Sequence, residues 1–162
     1  MNAPNMIAGL LMVAVSPMAM ALDAACKPIV DASEKKMNQA AWHSIATLKS
    51  GAHIESMKAG GGFFSNVGGV WTKTSANFDT AEKDMIRQMN SGEIKLTLCK
   101  SLGSEVVDGV PVNVVSSRIE MPGAPAADPK LYIGKSDGLP YRQAAGTVDV
   151  VYRYKNVSAP KI

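Results

Sequence analysis

The sequence predicts an α+β domain in which two main helices pack on one face of an antiparallel sheet. In two segments the apolar residues recur at three- and four-residue spacing, which is the period of a helix. In most other segments apolar and polar residues alternate, which is the period of a strand. Short turns join the strand segments, and parallel strands would need long crossovers, so we expect antiparallel pairing.

Residues 1–21 have the layout of a secretory signal peptide. An apolar run over residues 7–15 is followed by Pro17 and by an Ala-Met-Ala pattern at residues 19–21, which is typical of a cleavage site. The apolar run rises only about 14 Å as a helix, against a hydrocarbon core of roughly 30 Å, so we expect no transmembrane span. A buried N-terminal helix is the alternative. Cleavage would leave one domain, residues 22–162.

The first part of that domain is predicted to contain a helix and two strands. The helix covers residues 28–41, because Ile29 and Val30 begin an apolar stripe and Pro28 suits a first helical turn. Alternation then predicts strands over residues 42–49 and 53–58.

Glycine-rich turns and a second helix come next. The glycines of residues 60–69 flank an aromatic pair and predict two hairpins. Asp79 and Glu82 have the spacing of a capping box, and Gly92 stands where a left-handed residue ends a helix. One face of this helix carries Met85, Ile86 and Met89.

After the second helix, the sequence pattern predicts only strands and loops as far as the end of the chain. Alternation predicts strands that begin at residues 94, 110, 131 and 148, and the strand from residue 110 is expected to extend over residues 118–120. A loop rich in Pro and Ala, residues 121–129, interrupts the sheet.

The two cysteines, Cys26 and Cys99, predict one disulfide in an exported protein. Two alternatives stay open: Cys26 is lipidated, or both cysteines are free buried thiols. Alternation places Cys99 on the face opposite Leu96 and Leu98. A bond to Cys26 therefore requires either that the first helix begins over that face or that a bulge shifts the register near Cys99.

Composition and motifs exclude several classes of function. Hydrophobic residues make up 46% and charged residues 19% of the chain, which excludes a disordered protein. The formal net charge of +3 is too small to indicate nucleic-acid binding. His43 and His53 lack metal-ligand spacing, so we predict no metal site and no cofactor. No nucleophile motif is present, and we predict a non-enzymatic protein, with a hydrolase of unrecognised Ser/His geometry as a further alternative.

The candidate binding residues are apolar. They are predicted to line a groove between the second helix and the sheet, although ordinary core packing is the competing interpretation. This set consists of Phe63, Phe64, Trp71, Met85, Ile86 and Met89.

The C-terminal third carries a family resemblance. It contains Leu-Tyr-Ile-Gly at residues 131–134, Asp-Gly-Leu-Pro-Tyr-Arg at residues 137–142, and a last strand that leads into Asn-Val at residues 156–157. This order resembles the LolA-like half-barrel superfamily of bacterial periplasmic and envelope proteins. The resemblance implies a curved antiparallel sheet, helices over its concave face, and a groove that shields acyl chains in the carriers.

Together these observations predict a periplasmic or envelope protein that binds a lipid, an acyl chain or a lipidated partner in a helix–sheet groove. The alternative is an envelope protein–protein interaction module whose groove is filled and takes no small molecule. The resemblance assigns no functional residue.

Overall fold

The computed structural model describes residues 22–162, and the predicted signal peptide lies outside the described residues. A short 3-10 turn, Ala24–Cys26, leads into the first helix. The helices and strands are α1 (Lys27–Met37), β1 (Trp42–Leu48), β2 (His53–Ala59), β3 (Gly62–Val67), β4 (Val70–Thr74), α2 (Phe78–Ser91), β5 (Lys95–Val107), β6 (Val110–Glu120), β7 (Lys130–Gly134), β8 (Pro140–Ala145) and β9 (Val148–Arg153).

All nine strands form one antiparallel sheet in the order β4-β3-β2-β1-β9-β8-β7-β6-β5. The sheet is open, with β4 and β5 at its edges. The predicted fold class, a curved antiparallel sheet with two helices on one face, is confirmed. Within residues 22–162, no helix is long and apolar enough to cross a membrane.

The connection from β4 to β5 determines where α2 lies. The polypeptide leaves the sheet at one edge and enters it again at the opposite edge, so α2 crosses one face. A flat sheet of nine strands would be roughly 38 Å wide. A helix of 14 residues rises about 21 Å, so the linkers and the curvature of the sheet have to make up the difference.

We call the face under the helices the inner face and the opposite face the outer face. Successive strand residues point to opposite faces. The main core therefore lies on the inner face, between both helices and strands β5 to β7; it contains Cys26, Ile29, Val30, Ala32, Ile86, Met89, Ile94, Leu96, Val115, Leu131 and Ile133. Two smaller clusters lie on the outer face, one around Met57 and Phe64 and the other around Val112, Val114 and Tyr132.

Helix α2 begins differently from the prediction. The side chain of Asn77 accepts a hydrogen bond from the backbone N–H of Thr80 at 3.0 Å, so Asn77 is the N-cap and Phe78 begins the helix. The predicted capping box is therefore wrong, because Asp79 and Glu82 lie inside the first turns and pair with lysines of other elements. The predicted end is confirmed, since the C-cap residue after Ser91 is a left-handed glycine.

Helix α1 ends at Met37, four residues before the predicted end. Asn38 is its C-cap, and the chain has to leave the helix there to enter β1 at Trp42. Lys58 of β2 donates a hydrogen bond to the carbonyl oxygen of Met37 at 2.8 Å. The end of α1 is thus held by the strand below it.

The predicted disulfide between Cys26 and Cys99 is present, with Cα atoms 5.1 Å apart. A bulge in β5 makes it possible: the register with β6 shifts here, so that Leu98 and Cys99 together oppose Ser117. Leu98 takes a positive φ of 53° and its side chain is 73% exposed. Cys99 is thereby turned to the inner face, where it packs against the main core. Of the two alternatives for the register, the bulge is the one observed.

The motif at residues 137–140 forms the turn between β7 and β8. Asp137 accepts a hydrogen bond from the N–H of Leu139 at 3.0 Å, and Gly138 has a φ of 71° that favours glycine. Lys35 of α1 donates to the carbonyl oxygen of Asp137 at 3.1 Å. The hydroxyl of Tyr141 donates to the Asp137 carboxylate at 2.8 Å. These hydrogen bonds therefore fasten the turn both to α1 and to β8, the strand that follows it.

Removal of the disulfide should destabilise the protein. The bond closes a loop of about 74 residues, and the chain-entropy estimate for such a loop is roughly 4 kcal/mol. We expect each single variant, Cys26→Ser or Cys99→Ser, to lower the free energy of unfolding by about that amount. Urea unfolding measures the change. The wild-type protein in reductant should match both variants. Two titratable thiols in the natively exported wild-type protein would contradict the bond.

Stability should fall at alkaline pH, and Tyr141 contributes to this fall. Partial burial and the Asp137 carboxylate raise the pKa of Tyr141 from 10.0 to about 12. The unfolded state therefore loses this proton first, so the stabilisation is complete below about pH 10 and is lost as the pH rises toward 12. Urea unfolding at increasing pH measures this loss. Tyr141→Phe should cost about 1 kcal/mol at neutral pH and show a smaller alkaline decrease. An equal decrease in both proteins would contradict the assignment.

Candidate functional site

A cavity of about 340 Å³ lies between the two helices and the inner face of the sheet. Three elements supply its walls: one side of α1, one side of α2, and the floor formed by strands β2, β1, β9, β8, β7 and β6. The lining residues are Ile29, Ser33, Lys36, Trp42, Ser44, Ser56, Phe78, Ala81, Glu82, Met85, Met89, Ser117, Ile119, Pro129, Leu131, Gln143 and Tyr152.

The helical walls follow from the helical period. In α2 the lining residues Phe78, Ala81, Glu82, Met85 and Met89 recur at spacings of three and four, so they form one stripe that faces the sheet. Met89 is buried, whereas Met85 is 43% exposed. Met85 therefore lies at the mouth of the cavity.

One end of the cavity is polar and contains a nearly buried ion pair. The Nζ atom of Lys36 on α1 lies 2.5 Å from a carboxylate oxygen of Glu82 on α2, and the two side chains are only 11% and 16% exposed. The same Nζ atom lies 4.9 Å from the ring centroid of Trp42 and 5.2 Å from that of Tyr152. The ammonium group is therefore held by one carboxylate and two aromatic faces.

Tyr152 is uncharged and remains so well above physiological pH. Burial is the main reason that its pKa is raised above the ordinary value, and the negative charge of Glu82 raises it further. An ordinary tyrosine is already neutral at physiological pH, and the raised pKa extends that range to more alkaline pH. Its ring contributes a cation–π contact to Lys36 and adds no charge to the cavity.

Trp42 carries a buried donor at this end. The residue is only 2% exposed, its ring lies 5.9 Å from that of Phe78, and its side chain lines the cavity. Within residues 22–162, the indole Nε1–H finds no hydrogen-bond acceptor. A buried donor without a partner costs about 1–3 kcal/mol, and because the Nε1 atom is fully enclosed by protein, a ligand in the cavity does not reach it.

A second lysine pair positions the start of α2 over the sheet. The Nζ atom of Lys58 lies 2.5 Å from a carboxylate oxygen of Asp79, and the same Nζ atom donates to the last carbonyl of α1. Together, Lys36 and Lys58 join α1, α2 and the sheet at two points. The helices are thereby held along the polar end of the cavity.

The structure separates the six predicted groove residues. Met85 and Met89 line the cavity, and Ile86 packs between the helices in the main core. Phe63 contacts Phe78 at the start of α2, with ring centroids 5.5 Å apart.

The remaining two of the six lie on the other side of the sheet. Phe64 and Trp71 belong to the outer-face cluster with Met57. Phe63 and Phe64 are consecutive in β3, so one of them has to point away from the helices.

Most of the polar lining was not predicted. Lys36 and Glu82 are charged residues on helices, and the sequence pattern assigns such residues to exposed faces. The position of Trp42 could have been predicted, because an aromatic residue at the start of an alternating strand favours burial in a core. The pairing of Lys36 with Glu82 could not, because no sequence spacing indicates it.

The two histidines lie outside the cavity lining. The Nε2 atom of His43 lies 2.6 Å from a carboxylate oxygen of Glu55, on the outer face beside Trp71. The Nδ1 atom of His53 lies 3.1 Å from the hydroxyl of Thr47. Among the described residues, no three His, Cys, Asp or Glu side chains form a group that could hold a metal ion.

Comparisons with known proteins identify the fold. Neither a protein-family model nor a curated protein sequence matches the chain. The structure is similar to that of the lipoprotein LppX from Mycobacterium tuberculosis, with a TM-score of 0.56 and 12% identity over 85% of this chain and 98% of that one. The half-barrel fold predicted from the C-terminal motifs is confirmed.

MucB is a more distant match. The MucA/MucB complex of Pseudomonas aeruginosa aligns at a TM-score of 0.44 with 12% identity, covering 85% of this chain and 59% of that chain. MucB by itself aligns at 0.44 with 11% identity, covering 85% and 60%. The chain therefore spans about 60% of the MucB length.

The Lys36–Glu82 pair should show strong energetic coupling. Removing one partner leaves a nearly buried charge, which costs about 3–5 kcal/mol, whereas removing both leaves none. We expect Lys36→Met to lower the free energy of unfolding by about 3 kcal/mol and the double variant Lys36→Met/Glu82→Leu to lower it by less.

Urea unfolding of the four proteins in this double-mutant cycle measures the coupling. The exposed pair Lys27–Asp31 on α1 is the control, and its cycle should give less than about 0.5 kcal/mol. Additive effects of the Lys36 and Glu82 substitutions would contradict the coupling.

Proposed function

We propose that this chain is an exported protein of the bacterial envelope that binds one apolar ligand in the cavity beneath α2, without catalysing a reaction. The ligand would be a lipid, an acyl chain or the acyl chain of a lipidated partner. The observation that carries this proposal is the cavity itself: the space between α2 and the sheet is open at the position where the main core would otherwise continue.

The size and lining of the cavity support a single chain as the ligand. Small-molecule sites occupy about 300–1,000 Å³, and the volume of about 340 Å³ is at the low end of that range. Met85 and Met89 supply flexible, polarisable walls that adapt to apolar ligands of different shape. Ile119 and Leu131 extend the apolar surface across the floor.

The disulfide and the predicted signal peptide support export. Disulfides persist in oxidising compartments such as the bacterial periplasm, and this one fastens the start of α1 to β5. The proposed location is therefore the periplasm or the envelope. The similarity to LppX supports the fold, and it does not identify a ligand for this chain.

The lining also supports binding over catalysis. Four serines and Lys36 line the cavity, but no histidine does, so the cavity lacks the usual base for a serine nucleophile. The alternative function, an interaction module with a filled groove, requires the space beneath α2 to be occupied by side chains. The open cavity favours a ligand over that alternative.

A substitution at the cavity mouth should weaken ligand binding. We expect Met85→Asp to reduce the affinity for the neutral fluorophore N-phenylnaphthylamine by at least about tenfold, because a charged side chain would be placed against an apolar ligand. Fluorescence titration of the purified exported protein measures this affinity. Met121→Asp is the matched control: Met121 has the same 43% exposure, and it is absent from the lining.

Two results would count against the proposal. If the fluorophore does not bind the wild-type protein, and native mass spectrometry of the exported protein finds no bound lipid, the cavity is not a ligand site. Equal loss of affinity in Met85→Asp and Met121→Asp would mean that the fluorophore binds elsewhere. A partner captured from delipidated envelope extract would, with the first result, favour the interaction module.

A further inference from the structure

The cavity has two chemically different ends, arranged along the axis of α2. Strands β1, β2 and β9 supply Trp42, Ser44, Ser56 and Tyr152 to the floor, beneath the half of α2 that carries Phe78, Ala81 and Glu82. Gln143 of β8 lies between the two ends. Strands β6 and β7, beneath the other half of α2, supply the apolar residues. Apart from Ser117, the lining of that second end is apolar and consists of Ile29, Met85, Met89, Ile119, Pro129 and Leu131.

Such a lining fits an amphiphile better than a plain hydrocarbon. Covering polar groups with apolar surface is costly, so a ligand that is apolar along its whole length would remove water from the Lys36–Glu82 pair and the serines at the polar end without replacing it. A ligand with an acyl tail and a polar head group would match both ends. The tail would lie near Met85 and Met89, and the head group near Lys36 and Trp42.

The charge balance at the polar end indicates the type of head group. Lys36 is already neutralised by Glu82 at 2.5 Å. An anionic head group placed beside Lys36 would also lie close to the Glu82 carboxylate and be repelled by it. A cationic head group would meet Lys36 itself, which already occupies the aromatic faces of Trp42 and Tyr152. An uncharged head group avoids both conflicts.

The serines at the polar end add to this preference. Ser44 and Ser56 line the cavity there, and a hydroxyl group both donates and accepts hydrogen bonds. A neutral ester or hydroxyl group on the ligand supplies partners for them without bringing a charge.

We infer that the cavity binds uncharged, oxygen-bearing amphiphiles such as acyl esters in preference to free fatty acids. The head group lies beside the Lys36–Glu82 pair, whose two charges compensate each other. This inference rests on the proposed function, because it assigns a ligand class to the same cavity.

Competition binding with the full exported protein tests the preference. N-phenylnaphthylamine is displaced by monopalmitoylglycerol or by palmitate, which share an acyl chain and differ in head-group charge. We expect the wild-type protein to bind the ester at least about threefold more tightly, because the carboxylate of palmitate would lie close to Glu82 and be repelled by it.

Glu82→Gln provides the sharper test. This variant keeps the shape of the side chain and an oxygen facing Lys36, but it leaves the ammonium charge uncompensated. We expect it to reverse the preference, so that palmitate binds more tightly than monopalmitoylglycerol. Asp84→Asn is the matched control, since Asp84 lies on the same helix in an exposed pair with Arg87 and outside the cavity lining. It should leave both affinities unchanged.

Each outcome decides between the hypotheses. A preference for the ester in the wild-type protein that Glu82→Gln reverses supports the inference. Equal binding of both amphiphiles in the wild-type protein, or an unchanged ratio in a folded Glu82→Gln variant, overturns the inference and leaves the proposed function intact. Failure of the fluorophore and of both amphiphiles to bind overturns the inference together with the proposed function. Thermal denaturation of each variant shows whether it is folded.

Discussion

The connection between the two edges of the sheet is the constraint on which the rest of the structure depends. Because β4 and β5 are the outermost strands and neighbours in sequence, the segment between them has to cross the sheet. A helix is the compact way to do so, since its backbone groups are satisfied internally over most of its length. Once α2 lies across the inner face, α1 packs beside it, and the space left beneath the helices becomes the cavity.

The ion pairs of Lys36 and Lys58 connect this architecture to the chemistry of the cavity. Both lysines hold α2 by one carboxylate each, and Lys36 also contacts two aromatic rings on the floor. A buried pair of this kind contributes little net stability compared with an apolar replacement, whereas an unpaired partner is costly. The Lys36–Glu82 pair is therefore better explained by what it does to the cavity, where it provides polarity without net charge.

Periodicity predicted most of the elements correctly, and the errors have identifiable physical causes. The strand alternation of the C-terminal half, the two glycine hairpins and the end of α2 were predictable because each depends on local geometry. An Asp-Gly pair at residues 108–109, between alternating valines, is a further hairpin signal, and it joins β5 to β6. The capping box failed because Asn77 caps the helix first and leaves Asp79 and Glu82 free to pair across elements.

The sequence by itself determined the fold class, the disulfide partners and the methionine stripe of α2, because each is expressed in residue spacing or in the count of cysteines. Only the tertiary structure decided which face of each strand is covered, and therefore that Phe63 and Phe64 lie on opposite sides. It also decided that Cys99 reaches Cys26 through a bulge at Leu98. The polar end of the cavity brings together residues from α1, α2, β1 and β9, and contacts between elements that are distant in sequence leave no periodic signal.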